Sequence, residues 1–339
     1  MARIASFDTW GKAANNLPAA IAVADATGPY ASTIHVGNGT YTAPAAGYFE
    51  INKGNDRLSS TATGITVRSE NGPLVTALKG VGAYGSDRHA VWIRDTGIGA
   101  VIDGFTITNG YAYDGGGIQA DTVCSVWNCI FRGNQAAEDG GGFSSHCVSA
   151  LPITIRNCLF VGNECGRLGG GVNVNGGSEA TIRLDNCTVT GNRTTRTGLD
   201  PESNGQGGGI GTYSGAIAAK NSIVYNNTAD LWAPTNNNWR QKGGTITFTY
   251  SDTLPLPAGA GNIGVDPMFI NLGSGYGIAH AGGDYRLPWE SPCVNAGTND
   301  LTWMQAGADL ARNPRIAGGR VDMGAYESSL DRGTVIVIR

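Results

Sequence analysis

The dipeptide Asn-Cys recurs every 29 residues, at Asn128, Asn157 and Asn186, and this period constrains the fold more than any other feature. Each copy is followed by Gly-Asn and, after a variable stretch, by three consecutive glycines. An earlier copy at 103–117 lacks the cysteine, and a later copy at 221–227 has a serine in its place. Each period holds two or three short β-branched runs between Gly/Asn turns. Because such a unit is too small to bury its own apolar residues, successive periods must stack on one another.

Stacked periods of this kind predict an all-β protein, a single-stranded right-handed parallel β-helix in which each period is one coil. Equivalent residues of successive coils are then about 4.8 Å apart. Buried asparagines at one position of each coil are expected to form a ladder of side-chain amides. Its members are Asn134, Asn163, Asn192 and Asn227. Small thiols are expected to form a second, apolar column in the interior, and this column holds Cys129, Cys158 and Cys187.

The ends of the chain differ from the repeat and divide it into four parts. Residues 1–28 are predicted to form a helical N-terminal cap, with Trp10, Ala13, Ala14 and Leu17 on one face. Pro18 either breaks this helix into two turns or starts its second segment. Residues 29–261 are predicted to form the coils, beginning with strand, turn and strand over 32–42. Residues 262–327 are expected to close the structure, and 328–339 to form a terminal strand or the stub of a further domain.

Composition excludes several classes of function. The formal net charge is −4, only 15% of residues are charged, and Lys and Arg do not cluster, so we expect no nucleic-acid partner. No apolar run reaches the ~20 residues of a membrane span, and the first ten residues lack the apolar core of a signal peptide. The seven cysteines show neither C-x-x-C nor zinc-ligand spacing. We therefore predict no metal site and no cofactor.

The motifs "DGFTITNG", "SPCVNAG" and "NPRIAGGRVDMGAYE", together with the repeat, resemble the right-handed parallel β-helix repeat proteins of bacteria. That group belongs to the pectate-lyase-like superfamily, and the resemblance covers residues 7–327. It implies a β-helix in a secreted or surface protein. Calcium-dependent pectate lyases also carry aspartates before the strand that follows the glycine-rich turn. This chain has glycine triplets at the comparable positions, so Ca²⁺ is compatible with the fold but supported by no motif.

The strands that follow the glycine triplets offer a candidate binding face. Alternation predicts that the first residue of each strand points inward, and that the second and fourth point outward. The expected inward residues are Ile118, Phe143, Val172 and Ile210. The outward residues include Ser144 and Gly211. Six further outward side chains are predicted to bind hydroxyl-rich ligands, and these are Gln119, Asp121, His146, Asn173, Asn175 and Tyr213. A solvated sheet face without function is the alternative.

Acidic and basic residues also gather in the turns before the triplets and form a second candidate site. Asp114 and Asp139 occupy equivalent positions and are expected to stack one coil apart. Two carboxyl groups that close can share a proton or act as acid and base. The candidate catalytic residues are Asp114, Glu138, Asp139, Glu164, Arg167 and His146. Solvated turn residues are the alternative, since turns favour aspartate.

Three classes of function fit these features. The first is a non-catalytic, adhesin-type module that binds a polysaccharide or cell-surface glycan. The second is a polysaccharide lyase or glycoside hydrolase. The third is a structural component of a giant surface protein or a virion, with self-association or further domains. We favour the first, with an extracellular or cell-surface location, while a virion would suit the absence of a signal peptide. Because the expected carboxylates are missing at the triplets, the second class is less favoured.

Overall fold

A computed structural model describes residues 14, 16–26, 32–44, 47–51, 64–82, 88–94, 99–195, 205–230 and 237–328. In these residues the chain winds through four stacked sheets, and every pair of neighbouring strands within them is parallel. One turn of the chain passes through sheets A, B, C and D in that order and then enters sheet A of the next coil. The predicted parallel β-helix is therefore confirmed.

The strands are numbered along the chain and fall into the four sheets as follows. Sheet A contains β1 Ser32–Val36, β4 Ile65–Ser69, β7 Ala100–Asp103, β11 Cys124–Trp127, β15 Ile153–Arg156, β19 Thr181–Asp185, β23 Ala216–Lys220 and β27 Thr245–Thr249. Sheet B contains β2 Gly39–Thr42, β5 Thr76–Lys79, β8 Thr106–Thr108, β12 Ile130–Arg132, β16 Leu159–Val161, β20 Thr188–Thr190, β24 Ile223–Tyr225 and β28 Asp252–Thr253. Sheet C contains β9 Tyr111–Ala112, β13 Gln135–Ala136, β17 Glu164–Cys165, β21 Arg193–Thr194 and β25 Thr228–Ala229. Sheet D contains β3 Phe49–Ile51, β6 Val91–Ile93, β10 Ile118–Ala120, β14 Phe143–Ser145, β18 Val172–Asn175, β22 Ile210–Ser214 and β26 Trp239–Gln241.

The predicted asparagine ladder runs through the interior. The side-chain amide of Asn134 donates to Asn163 over 3.0 Å, that of Asn163 to Asn192 over 2.9 Å, and that of Asn192 to Asn227 over 3.0 Å. Sequence reasoning missed one further member, Asn238, which accepts from Asn227 over 3.2 Å. Asn238 lies in the same coil as Asn227, directly before β26, where the preceding coil has Gly209, so the 29-residue spacing does not reveal it.

The cysteine column is also present, and all seven cysteines are buried with free thiols. The backbone N–H of Cys129 donates to the sulfur of Cys158 over 3.4 Å, and that of Cys187 donates to the Ser222 hydroxyl over 3.1 Å. Ser251 extends the column by one more coil, accepting from the Ser222 N–H. The asparagine before each of the three cysteines in the column has a positive φ, 53° at Asn128 for example, which explains why the dipeptide Asn-Cys recurs at these positions.

The N-terminal cap contains one helix, α1, at Leu17–Ala26, which packs on β1 and β3. Pro18 lies in its first turn, where proline is tolerated because that position has no intrahelical N–H partner. The Asn16 side chain accepts from the Ala19 N–H over 2.9 Å and caps the helix. Residues 1–13, which include Trp10 and Ala13, lie outside the described residues, as does the predicted strand of the tail within 329–339.

The C-terminal segment covers a side of the β-helix as well as its end. Residues 254–263 lie on the last coil, where Asn262 donates to the Phe248 carbonyl over 2.9 Å. The segment then runs back along the outer face of sheet B and includes two 3₁₀ helices, Gly277–Ala279 and Thr302–Ala306. Its apolar side chains pack on outward residues of β12, β16 and β24. The contacts join Ile130, Leu159 and Val161 to Tyr285, Leu310 and Ala325, and Ile223 to Leu287, Cys293 and Met323.

A buried ion pair lies within this segment, and its arginine also contacts the coils. Arg315 and Glu327 lie 3.2 Å apart, and both are almost fully buried. The Arg315 guanidinium also donates to the Asp322 carbonyl over 3.1 Å and to the Asn157 side chain over 3.4 Å. Among the described residues, no helix is long and apolar enough to cross a membrane.

Candidate functional site

The outer face of sheet D is covered by the glycine turns that precede its strands. Gly115, Gly140 and Gly169 have φ between 61° and 69°, so each turn folds back over its own strand. A Cβ on Gly140 would lie 2.8 Å from the Cβ of Ser144, and one on Gly115 would lie 2.7 Å from the Gln119 side chain. The triplets therefore provide positive φ and also close approach between turn and strand.

This cover corrects part of the predicted binding face. Gln119, Ser144 and Asn173 are in the predicted outward register but are buried, with at most 4% exposure. Alternation predicted the side of the strand correctly and failed to predict that the turn would lie on it. Gln119 and Asn173 therefore cannot bind an external ligand directly. The inward residues of the four strands are fully buried as expected, and these are Ile118, Phe143, Val172 and Ile210.

The fourth position of each strand lies beyond the turn and is partly exposed. These positions form a row at the carboxyl end of sheet D, which we call the strand-end strip. Its members are Arg94, Asp121, His146, Asn175, Tyr213 and Lys242. The strip is formed because parallel strands in register place one side chain per coil above the last. One irregularity interrupts it, since Asn175 pairs with Ser214 through a bulge and Tyr213 is displaced from the column.

Hydrogen bonds hold the strip residues in place. The Asp121 carboxylate accepts from the Gln119 amide over 2.8 Å and from the Trp92 indole over 2.6 Å. Lys242 donates to the Tyr213 hydroxyl over 2.8 Å and lies 4.6 Å from the centre of its ring. Arg167 lies 4.5 Å from the same ring, so two cations use part of the surface of Tyr213 that was predicted to stack on sugar.

The predicted acid–base residues of the turns form a contact group beside the strip. The Asp114 carboxylate accepts from the Asp139 backbone N–H over 2.8 Å, one coil away. Arg167 donates through Nε to Asp139 over 2.9 Å, pairs with its second oxygen through Nη2, and lies 3.3 Å from Glu138. Burial raises the pKa of Asp139 to about 6, against the opposing effect of Arg167. The Asp139 side chain is fully buried, so its role is to hold Arg167 and the turns together.

His146 belongs both to the strip and to this group. Its Nε2 lies 3.3 Å from the Asp114 carboxylate, and 39% of the side chain is exposed. Asp114 raises the pKa of His146, against the effect of partial burial. A half-exposed imidazole backed by a nearly buried carboxylate has the components of a general acid–base pair.

Glu164 does not join this group through any contact that the described residues show. It lies on β17 in sheet C, where Arg193 of the next coil donates to it over 3.0 Å. Gln135 of the preceding coil donates to it over 3.1 Å, and Arg193 also stacks on the Tyr276 ring at 4.4 Å. This is a separate row that ties the coils to the C-terminal segment.

Three residues near the site were missed by sequence reasoning. Arg94 and Lys242 belong to coils in which the triplet is absent, so alignment on the triplets excluded them. Tyr113 precedes Asp114 and is 60% exposed. Its only sequence signal was its position next to the acidic turn residue.

In the described part of the chain, no three His, Cys, Asp or Glu side chains are grouped as a metal ion would require. Comparison with known proteins adds no assignment to this geometry. No protein-family model matches the chain, and no curated protein matches it significantly.

Proposed function

We propose that the protein is a non-catalytic, adhesin-type module that binds a polysaccharide or cell-surface glycan along the strand-end strip, outside the cell. The observation that carries this proposal is one partly exposed polar side chain per coil over six successive positions. At about 4.8 Å per coil the strip extends over roughly 24 Å. A rigid row of this length suits an extended, repetitive ligand better than a compact one.

The chemistry of the strip supports a hydroxyl-rich ligand. Carboxylate, amide and hydroxyl groups alternate with cations, so donors and acceptors both occur along the row. Asp121 is oriented by Gln119 and Trp92, and preorganised groups bind with a smaller entropic cost. The exposed ring of Tyr113 next to Asp114 offers an aromatic face of the type that packs on sugars.

We further propose that the chain belongs to the pectate-lyase-like β-helix superfamily. Its four parallel stacked sheets and the repeat motifs support this assignment. Since fold does not determine function, the proposal of glycan binding depends on the strip and not on the superfamily.

Polysaccharide cleavage is the second candidate, and the contact between His146 and Asp114 favours it. In this alternative His146 acts as general base or acid and Asp114 holds it. Asp139 is too deeply buried to reach a substrate. A screen for reducing ends and for the ultraviolet absorbance of unsaturated products, with and without Ca²⁺, tests this alternative. Product formation that Asp114→Asn abolishes would replace the binding proposal with a catalytic one.

A structural role is the third candidate, and exposed apolar residues near the end of the β-helix favour it. They are Leu254, Leu256, Val265, Met268, Ile270 and Leu272, each between 40% and 56% exposed. Concentration-dependent association in solution that Leu256→Ser and Ile270→Ser remove, without glycan binding, would support this role.

A glycan array probed with the intact chain tests the main proposal. We expect His146→Ala and Asn175→Ala each to weaken binding about tenfold, the effect of losing one or two hydrogen bonds. Lys79→Ala provides a matched control, because Lys79 is exposed at the end of a strand in sheet B. The proposal is refuted if His146→Ala and Asn175→Ala bind as strongly as Lys79→Ala, or if the intact chain binds no glycan on the array.

A further inference from the structure

Three side chains at the carboxyl end of sheet A form a group separate from the strand-end strip. Trp127 and Arg156 are register partners at the ends of β11 and β15, and Trp303 comes from a 3₁₀ helix of the C-terminal segment. The Cζ atom of Arg156 lies 5.5 Å from the centre of the Trp127 ring and 4.9 Å from that of Trp303. Contact with two indole rings fixes the orientation of the guanidinium.

The group contains hydrogen-bond donors without acceptors. Nε1 of Trp127, Nε1 of Trp303 and Nε of Arg156 are shielded from solvent, and none has a partner among the described residues. Indole and guanidinium groups only donate, so the three side chains cannot satisfy one another. Buried donors without acceptors are unfavourable, so the group lacks acceptors within the protein.

Arg156 also has no ion pair in the described part of the chain, unlike Arg68 and Lys220, which occupy the same position at the end of other sheet A strands. Arg68 donates to Asp103 over 2.8 Å, and Lys220 pairs with Asp300 at 2.5 Å. Asp185 is the register neighbour of Arg156 in β19, and it acts on Arg156 only through longer-range attraction. Arg156 is partly exposed, and of its three guanidinium nitrogens only Nε is among the shielded atoms without a partner in the described residues.

We propose that Trp127, Arg156 and Trp303 form a binding site for one oxyanion, the carboxylate or sulfate group of an acidic sugar. A guanidinium binds either group through its terminal N–H donors, and the two indole rings hold it in position. The site does not depend on glycan binding by the strip, because it lies at the end of sheet A and the strip at the end of sheet D.

Intrinsic tryptophan fluorescence of the intact chain measures this binding, because two of the three side chains are tryptophans. The probes are sodium sulfate, oligogalacturonate and a sulfated oligosaccharide, each at constant ionic strength set with sodium chloride. Neutral galactose oligomers serve as the uncharged comparison. Saturable binding of oligogalacturonate alone identifies a carboxylate site, and saturable binding of the sulfated probes identifies a sulfate site.

Variants decide whether the group is responsible. We expect Arg156→Gln to weaken binding at least tenfold and Trp303→Phe, which replaces the indole by a weaker cation–π partner for the guanidinium, to weaken it about threefold. Asp185→Asn should strengthen binding, since it removes the neighbouring negative charge. Arg183→Gln is the control, because Arg183 is exposed on β19 and should change binding less than twofold. Unchanged affinity in both Arg156→Gln and Trp303→Phe, or no saturation with any anionic probe, would overturn the proposal.

Discussion

The asparagine ladder provides the sharpest test of how this β-helix is stabilised, and Asn163→Ala is the most informative change. The Asn163 side chain is fully buried in the middle of the ladder. Its amide donates to the Phe131 carbonyl over 3.0 Å and to Asn192 over 2.9 Å. Its oxygen accepts from the backbone N–H and from the side-chain amide of Asn134, both over 3.0 Å.

The expected loss follows from these four hydrogen bonds. The Phe131 carbonyl, the Asn192 side-chain oxygen and the Asn134 side-chain amide each lose one hydrogen bond. Each of these losses costs about 1 kcal/mol. The Asn134 N–H loses its ladder acceptor inside a dry interior, which costs a further ~1–3 kcal/mol. The total of roughly 4–6 kcal/mol is comparable to the whole stability of many domains.

Urea unfolding followed by circular dichroism measures this loss, with Asn71→Ala as the control. Asn71 donates to Asn38 over 2.7 Å in a similar coil-to-coil contact, but it is exposed, so its removal should cost less than ~0.5 kcal/mol. If Asn163→Ala costs no more than Asn71→Ala at an unchanged m-value, the ladder does not stabilise the fold and the reasoning is wrong.

Three further predictions concern buried groups outside the ladder. Cys158→Ser should reduce stability by only about 1 kcal/mol, because Ser222 already occupies the same column and its hydroxyl has hydrogen-bond partners. Cys158→Leu should reduce it by ~1–3 kcal/mol because the larger side chain overpacks the interior. Thermal melts of the two variants check this. Burial raises the pKa of Asp252 to about 7, so the folded state binds a proton that the unfolded state has lost above pH ~4. Stability should therefore fall as pH rises from about 4 to 7, and urea titrations across this range should show a shallower decline in Asp252→Asn; an identical pH dependence would contradict the assignment. Arg315→Met should destabilise the fold by about 3–5 kcal/mol because it leaves Glu327 buried without its partner. The double variant Arg315→Met, Glu327→Gln should recover part of that loss in the same unfolding assay. A double variant no more stable than the single one would refute this account.

The fold could be predicted from the sequence because the repeat encodes it locally. Asn-Cys reports a left-handed backbone position followed by a small interior side chain, and both functions depend only on the coil in which they occur. Asn238 was missed because it joins the ladder from the position before β26, within the same coil as Asn227. Ser251 follows Ser222 at the usual 29 residues but was missed because Tyr250, and not an asparagine, precedes it. Periodicity detects equal spacing, whereas a ladder requires only equal position in space.

The candidate site was less predictable because exposure depends on contacts that alternation does not contain. Gln119 and Asn173 have the predicted orientation and are nevertheless buried under the glycine turns. Asp114 and His146 come into contact because the turn of one coil and the strand end of the next lie side by side. The path of the C-terminal segment along sheet B was equally hidden, since its partners are distant in the chain, as for Ala325 and Thr188, which are 137 residues apart.

The covered faces also explain where a ligand can bind this protein. The outer face of sheet B is occupied by the C-terminal segment, and that of sheet D is occupied by the glycine turns. On sheet D, the side chains that remain open to solvent in register are therefore those at the carboxyl ends of the strands, where the chain leaves the sheet. The strand-end strip and the group around Arg156 both lie at such ends, one on sheet D and one on sheet A. Because the strip is built one residue per coil, a substitution in it changes the chemistry of one step in the row while the ladders that hold the coil remain intact.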